Sequence, residues 1–261
     1  MATGTDTTTN TATTLRTGWE PDTPSTDTLA LACLRAMADR AADWAAAAGG
    51  RARREPGTIL ADALSPCPFL NVVATASVPD VDAARTLAGF FPQGRPFVLI
   101  SPHPTPDLGP VGLAPMGHPP LMVRPPGGIV PPPPAGVTVT EVRDAAGLAV
   151  WDQVLADGYP MPPSPAPPRL LGGATRFWLA HVDGAPAAVA LSYTAHGVVD
   201  VEAVATLPAF RRRSAGAAVT RAATLADPAL PAVLLSSDAG RGVYRSIGYL
   251  PVTRWTLWWR T

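Results

Sequence analysis

Thr206-Leu-Pro208-Ala-Phe-Arg211-Arg-Arg213-Ser214-Ala-Gly216-Ala-Ala-Val-Thr-Arg221 compresses a strand end, a break and a helix start into one short run. Pro208 removes a ladder donor and stops the strand. Three arginines follow, and small residues then open an Ala-rich helix. Small side chains let a backbone approach a ligand closely, and the free N–H groups of a first helical turn suit a diphosphate. Arg212 and Arg213 add positive charge at the same place. A solvated basic turn ahead of a helix accounts for the same residues, so on this segment alone both readings stand.

Working outward, Val137–Val142 alternates as a strand, and Ala145–Ala156 reads as a helix with Leu148, Trp151, Val154 and Leu155 on one face. A Pro-rich loop, Gly158–Gly173, follows. Arg176–Val182 and Ala185–Ala195 flank Asp183-Gly184, a strong hairpin signal, and His196-Gly197 turns the chain into a third strand, Val198–Thr206. Beyond the arginines come a helix over Ser214–Leu225, a buried strand at Ala232–Ser236, a short helix near Gly240–Ile247, and a closing strand, Pro251–Arg260, rich in Thr and Trp. A meander followed by two crossovers predicts an α/β fold: a mixed sheet flanked by helices.

In that setting the arginine loop resembles the pyrophosphate loop of the GNAT N-acetyltransferase superfamily, Gln/Arg-x-x-Gly-x-Gly/Ala, here Arg211-Arg-Arg-Ser214-Ala-Gly216. Val204-Ala-Thr206-Leu-Pro208 resembles the family's fourth strand and the Pro after it. Gly242-Val-Tyr244-Arg-Ser-Ile-Gly248-Tyr249 resembles its Leu-Tyr-x-x-x-Gly-Phe box. The likeness covers residues 137–261. It implies direct acyl transfer from acetyl-CoA, or another acyl-CoA, to an amine of a small molecule or peptide. Backbone groups of Val204, Ala205 and Thr206 would align the pantetheine as an extra strand, and one N–H would hold the developing oxyanion. Arg211, Arg212, Arg213, Ser214, Ala215, Gly216 and Ala217 would cradle the diphosphate, and Tyr244 would protonate the departing thiolate. Two departures stand out. Ser214 replaces the first loop Gly, so the backbone must avoid positive φ or bear strain. Ser237 stands where members often have an Asn, and its hydroxyl offers the pantetheine fewer bonds than an amide.

Glu202 is the base candidate: it lies on the motif strand, shares a face with Asp200 and Val204 by period two, and burial would lift its pKa toward neutrality. Equally, Glu202 or Asp200 binds the substrate ammonium or pairs with an Arg, and water is the base. His181 and His196 flank the hairpin as structural residues, and no histidines have metal-ligand spacing, so no metal is expected.

The preceding chain is less distinctive. Residues 1–25 are Thr-rich and read as a disordered tail. Ser25 or Thr26 caps a helix carrying Leu34, Met37, Ala41 and Trp44 on one face, which Gly49-Gly50 ends. A second stretch runs from Asn71-Val-Val-Ala-Thr75 through a short helix near Asp80–Phe90, and strands at Pro96–Ile100 and Pro120–Arg124 follow. Residues 125–136, dense in Pro, read as an interdomain linker rather than an SH3-type ligand. The order Phe97–Ser101, Asp107–Met116, Pro120–Val123 echoes the end of the second half. This makes residues 26–124 a degenerate GNAT-like domain in tandem with the catalytic one; an unrelated small α/β cap is the competing view. Neither the arginine loop nor the Tyr box recurs there, so no CoA site is expected, only a wall for the acceptor pocket.

Composition closes off other classes. Twenty basic residues, all Arg, balance 20 acidic ones, so no global positive field exists for nucleic acid or an anionic membrane. With 47% hydrophobic and 15% charged residues, a large core is available. Two cysteines are too few for a disulfide framework. With no secretory pattern and no apolar run long enough to span a bilayer, a cytoplasmic enzyme is expected. The alternative is a GNAT-fold module that senses a ligand without turnover.

Overall fold

The computed structural model describes residues 26–127, 132 and 134–261. The expected tail at residues 1–25 and much of the Pro-rich run lie outside them. The first half comprises α1 (Thr26–Ala47), β1 (Arg51–Glu55), β2 (Thr58–Asp62), β3 (Asn71–Thr75), α2 (Val81–Ala88), β4 (Phe97–Ser101), β5 (Ala114–Gly117) and β6 (Pro120–Arg124). The second comprises β7 (Val137–Val142), α3 (Ala145–Gly158), β8 (Thr175–Val182), β9 (Ala185–Ala195), β10 (Val198–Thr206), α4 (Ala215–Thr224), β11 (Ala232–Leu235), α5 (Arg241–Ser246), β12 (Leu250–Arg254) and β13 (Thr256–Arg260). This is the α/β architecture expected, in two mixed sheets.

The sheets run β1-β2-β3-β4-β13-β5 and β12-β6-β11-β10-β9-β8-β7. Each half therefore lends its last strand to the other. β6 inserts between β11 and β12, and β13 inserts between β4 and β5, antiparallel to both neighbours in each case. Each half also has an antiparallel pair leading into a parallel one, β2/β3/β4 and β9/β10/β11. That shared order fits a tandem arrangement. The single closing strand expected over Pro251–Arg260 is corrected here to two strands in different sheets. The chain passes from one to the other at Trp255, which is fully buried and donates its amide to Pro119. The sequence reading also lacked β1, β2 and β5.

The hairpin turns form where expected. Asp183 and Gly184 both take positive φ, as do His196 and Gly197, the paired left-handed geometry of a tight two-residue turn. The helix α1 is buried around much of its circumference, which places it between layers rather than on a surface. Trp44 meets Phe177 with ring centroids 6.2 Å apart, and the Tyr193 hydroxyl donates to Asp43 at 2.7 Å. One apolar core therefore runs through both halves. Among the described residues no helix is long and apolar enough to cross a membrane.

Candidate functional site

Two local irregularities open the second sheet. β10 pairs with β11 only at Val199↔Ala232 and Asp200↔Val233; beyond that the two parallel strands part. On its other side β10 carries a bulge: between Glu202↔Leu191 and Ala205↔Val189, Ala203 and Val204 oppose the single residue Ala190. Ala203 sits at φ 51°, a left-handed conformation unfavourable for a side chain with Cβ. The bulge interrupts the alternation that would have put Val204 in step with Glu202. Trp151 of α3 donates its indole N–H to the Ala190 carbonyl at 3.1 Å, tying the helix to the bulge.

A cavity of about 570 Å³ fills the parting. It brings together four of the sequence-derived candidates: Glu202, Val204, Ser237 and Tyr244. Ala205 and Thr206 continue along the strand above it, and Arg211–Ala217 form the turn into α4. That turn is joined to the strand end. Arg211 Nε donates to the Thr206 carbonyl at 3.4 Å, and a Cβ on Gly216 would lie 2.8 Å from Thr206 Oγ1. Only glycine lets α4 start this close. Ser214 resolves the first departure by bearing the strain, at φ 64° and ψ 2°, and Arg212 does likewise at φ 65°. No side chain caps α4 and its first turn holds no acid, so its leading amides lack a protein partner in the capping position. Arg213 pairs with Asp183 at 2.5 Å, while Arg212 is exposed.

Tyr244 sits low on α5, buried and edge-on to Tyr249 at 6.1 Å. A Cβ on Gly240 would come 2.7 Å from its ring, so that glycine makes room for the phenol. Burial, with the neighbouring Tyr159, pushes the Tyr244 phenol up to about 12, so it keeps its proton at every physiological pH. Burial also raises the Cys67 thiol in the same cavity, a local gauge that a thiolate is disfavoured here. Ser237, which lines the cavity, accepts the Gly240 amide at 3.2 Å on its hydroxyl oxygen.

Glu202 has a partner that the sequence reading did not name. Arg40 of α1 reaches across the halves and binds its Oε2 at 2.6 Å, with both side chains largely buried. Arg40 Nε and Glu202 Oε1 are buried with no hydrogen-bond partner. Asp200, wholly buried beside them, has its pKa raised by desolvation and by Glu202, and Arg40 only partly offsets this. Asp152 of α3 also lines the cavity and accepts the Ala166 amide at 2.9 Å. Burial pushes its carboxyl up to about 6, against that one amide. Arg40 was findable, since it lies three residues after Met37 and four before Trp44 on an otherwise apolar face. Among the described residues no cluster suits a metal ion.

The chain is similar over 89% of its length, and 94% of the other, to a GCN5-related N-acetyltransferase from Kribbella flavida, at 26% identity and a TM-score of 0.64. It is a GNAT-fold protein. A putative GNAT-family acetyltransferase from Novosphingobium aromaticivorans aligns over 80% of this chain and 89% of its own at 20% identity and TM-score 0.56. A functionally unknown conserved protein from Staphylococcus epidermidis aligns over 80% and 92% at 11% and 0.58. No family model and no curated protein sequence matches the chain. The first two neighbours extend over both halves of this chain, the strand-exchanged first half included.

Proposed function

We propose that the chain is an acyltransferase that moves an acyl group, acetyl in the simplest case, from a CoA thioester to an amine of a small molecule or peptide. The observation that carries this is the coincidence of an uncapped helix start, a parted parallel strand pair and a buried tyrosine around one cavity. The uncapped start of α4 would receive a CoA diphosphate: the amides of Arg212–Ala217 would donate to its oxygens, with Arg211 and Arg212 supplying charge. Backbone groups of Val204–Thr206 would pair with the pantetheine where β11 has parted from β10.

The thioester supplies an acyl carbon open to attack. As the amine nitrogen forms its bond to that carbon, an amide of the bulged stretch holds the developing oxyanion. The carbon–sulfur bond then breaks, and Tyr244 gives its hydroxyl proton to the sulfur. A phenol this weakly acidic can do so because the thiolate would be buried in the same surroundings. The ammonium loses one proton before attack, to a cavity carboxylate or to water, and the second, lost from nitrogen as the amide forms, restores the Tyr244 hydroxyl. Arg40 already occupies Glu202 Oε2 in an ion pair, so Glu202 serves better as an electrostatic partner of the amine than as its base.

Calorimetric titration with CoA, followed by thiol release from acetyl-CoA with an amine panel, tests the reading. CoA binding with amine-dependent thiol release supports it. Binding without release would leave a ligand-holding module, and no binding would overturn it.

A further inference from the structure

The charges reaching the cavity do not balance. Arg40 and Glu202 cancel, being paired at 2.6 Å. Asp152 remains, with one neutral backbone donor and, among the described residues, no cation paired with it. Above pH 6 the cavity therefore carries one net negative charge inside low-dielectric walls. Apart from hydroxyls such as those of Ser237 and Tyr244 those walls are mostly apolar, with Trp44, Phe69 and Met116 from the first half and Trp151 and Leu155 from the second. A half-buried carboxylate without a counter-ion is an unfavourable arrangement that a bound cation relieves.

Building on the acyltransfer reading above, we propose that the acceptor is an apolar primary amine without a carboxylate, its ammonium received by Asp152 and its arylalkyl body held against Trp44, Phe69 and Met116. The amine brings the single positive charge that the cavity lacks. An α-amino acid brings none in net, and its carboxylate would have to sit near Glu202 and Asp152 with Arg40 already engaged. Asp152 also anchors Ala166, so it couples the amine to the Pro-rich loop that closes this side of the cavity. The first half, which lacks a recognisable CoA loop, thereby supplies much of the surface that chooses the acceptor.

Asp152→Asn separates charge from structure, because the amide oxygen still accepts from Ala166. Calorimetry on the full chain with CoA present would compare 2-phenylethylamine with phenylalanine. The native chain should bind the amine at least tenfold more tightly than the amino acid, and Asp152→Asn should weaken the amine at least tenfold at a melting temperature no lower than the native one. Equal or better binding of phenylalanine would overturn the proposal, as would undiminished amine affinity in Asp152→Asn or no arylalkylamine binding. Titration of CoA alone keeps the two claims apart. Intact CoA affinity with no amine preference sinks the acceptor assignment only. Absent CoA affinity sinks acyl transfer, and the amine site then stands or falls on the Asp152→Asn comparison.

Discussion

The crossovers β3–α2–β4 and β10–α4–β11 occupy matching places in the two sheets, yet only one offers a ligand somewhere to go. β3 and β4 stay zipped through Val72↔Val98, Val73↔Leu99 and Ala74↔Ile100, whereas β10 and β11 separate after two pairs. Asp80 caps α2 by accepting the Ala83 amide at 2.7 Å, and Asp82 adds a second carboxylate to its first turn. The start of α2 therefore already has its own anions, while α4 has neither cap nor acid. The first half keeps the sheet order without an opening or a free helix start. What it gives the site instead is a side chain, Arg40, and an apolar wall.

If that division of labour holds, the largest effect comes from cutting the link between halves. Arg40→Met strands Glu202 as an uncompensated, largely buried charge and should cost about 3 kcal/mol in urea unfolding. Adding Glu202→Leu should recover most of that loss. A double variant as unstable as the single would show that the ion pair does not join the halves.

Tyr244→Phe probes what the second half alone possesses. It should lower kcat roughly 10²-fold, the usual scale for losing a positioned proton donor, with CoA affinity unchanged. Steady-state kinetics with an unchanged kcat would remove the tyrosine from the chemistry.

Giving α4 what α2 has should convert one crossover toward the other. Ala217→Asp places a carboxylate in the first turn. It should weaken CoA binding by about 30-fold through charge repulsion, while stabilising the helix by a few tenths of a kcal/mol. Calorimetry and thermal melting read the two opposite signs; equal CoA affinity would move the diphosphate elsewhere.

The halves also treat a buried carboxylate differently. Asp62 in the first has Arg95 at 3.3 Å, whereas Asp152 in the second has only an amide. An acid whose pKa is raised to about 6 on folding binds its proton more tightly in the native state, so it costs stability as pH climbs from about 4 through 6. Asp152→Asn should therefore be more stable than the native chain at pH 7.5 by about 1 kcal/mol, allowing for partial solvent screening. The gap should close near pH 4. A gap independent of pH would mean that the carboxyl is not strained.

What could be read beforehand divides along the same line. The arginine loop, both hairpin turns and the Tyr244 box are local patterns: Pro208, Asp183-Gly184 and the spacing to Gly248 act through nearest-neighbour sterics that a sequence displays. The exchange of β6 and β13 is not local. Pro120–Arg124 and Thr256–Arg260 are apolar strands whose partners are set by which sheet slot is open, and nothing within either run encodes that. β1 is exposed along its length and β5 carries a Pro and a Gly, so neither shows the alternation that marks a half-buried strand. Glu202 was visible, but its pairing with Arg40 depends on α1 packing across the second sheet. The electrostatics of the cavity therefore needed the tertiary structure.

Ser214 gives the smallest effect and the finest test of the comparison. Its φ of 64° at the head of α4 is a conformation that costs a residue with Cβ about 1 kcal/mol, and it makes no capping bond in return. Ser214→Gly removes that strain but adds chain entropy to the unfolded state, so the two nearly offset and a net gain of about 0.5 kcal/mol is expected. Gly94 and Gly112 of the first half take positive φ with glycine already in place, so Ala there should be destabilising. If Ser214→Gly destabilised the chain, the hydroxyl would have to hold the loop in a way that its geometry does not display. If it stabilised the fold and also tightened CoA, the strain would belong to the free loop rather than to ligand binding.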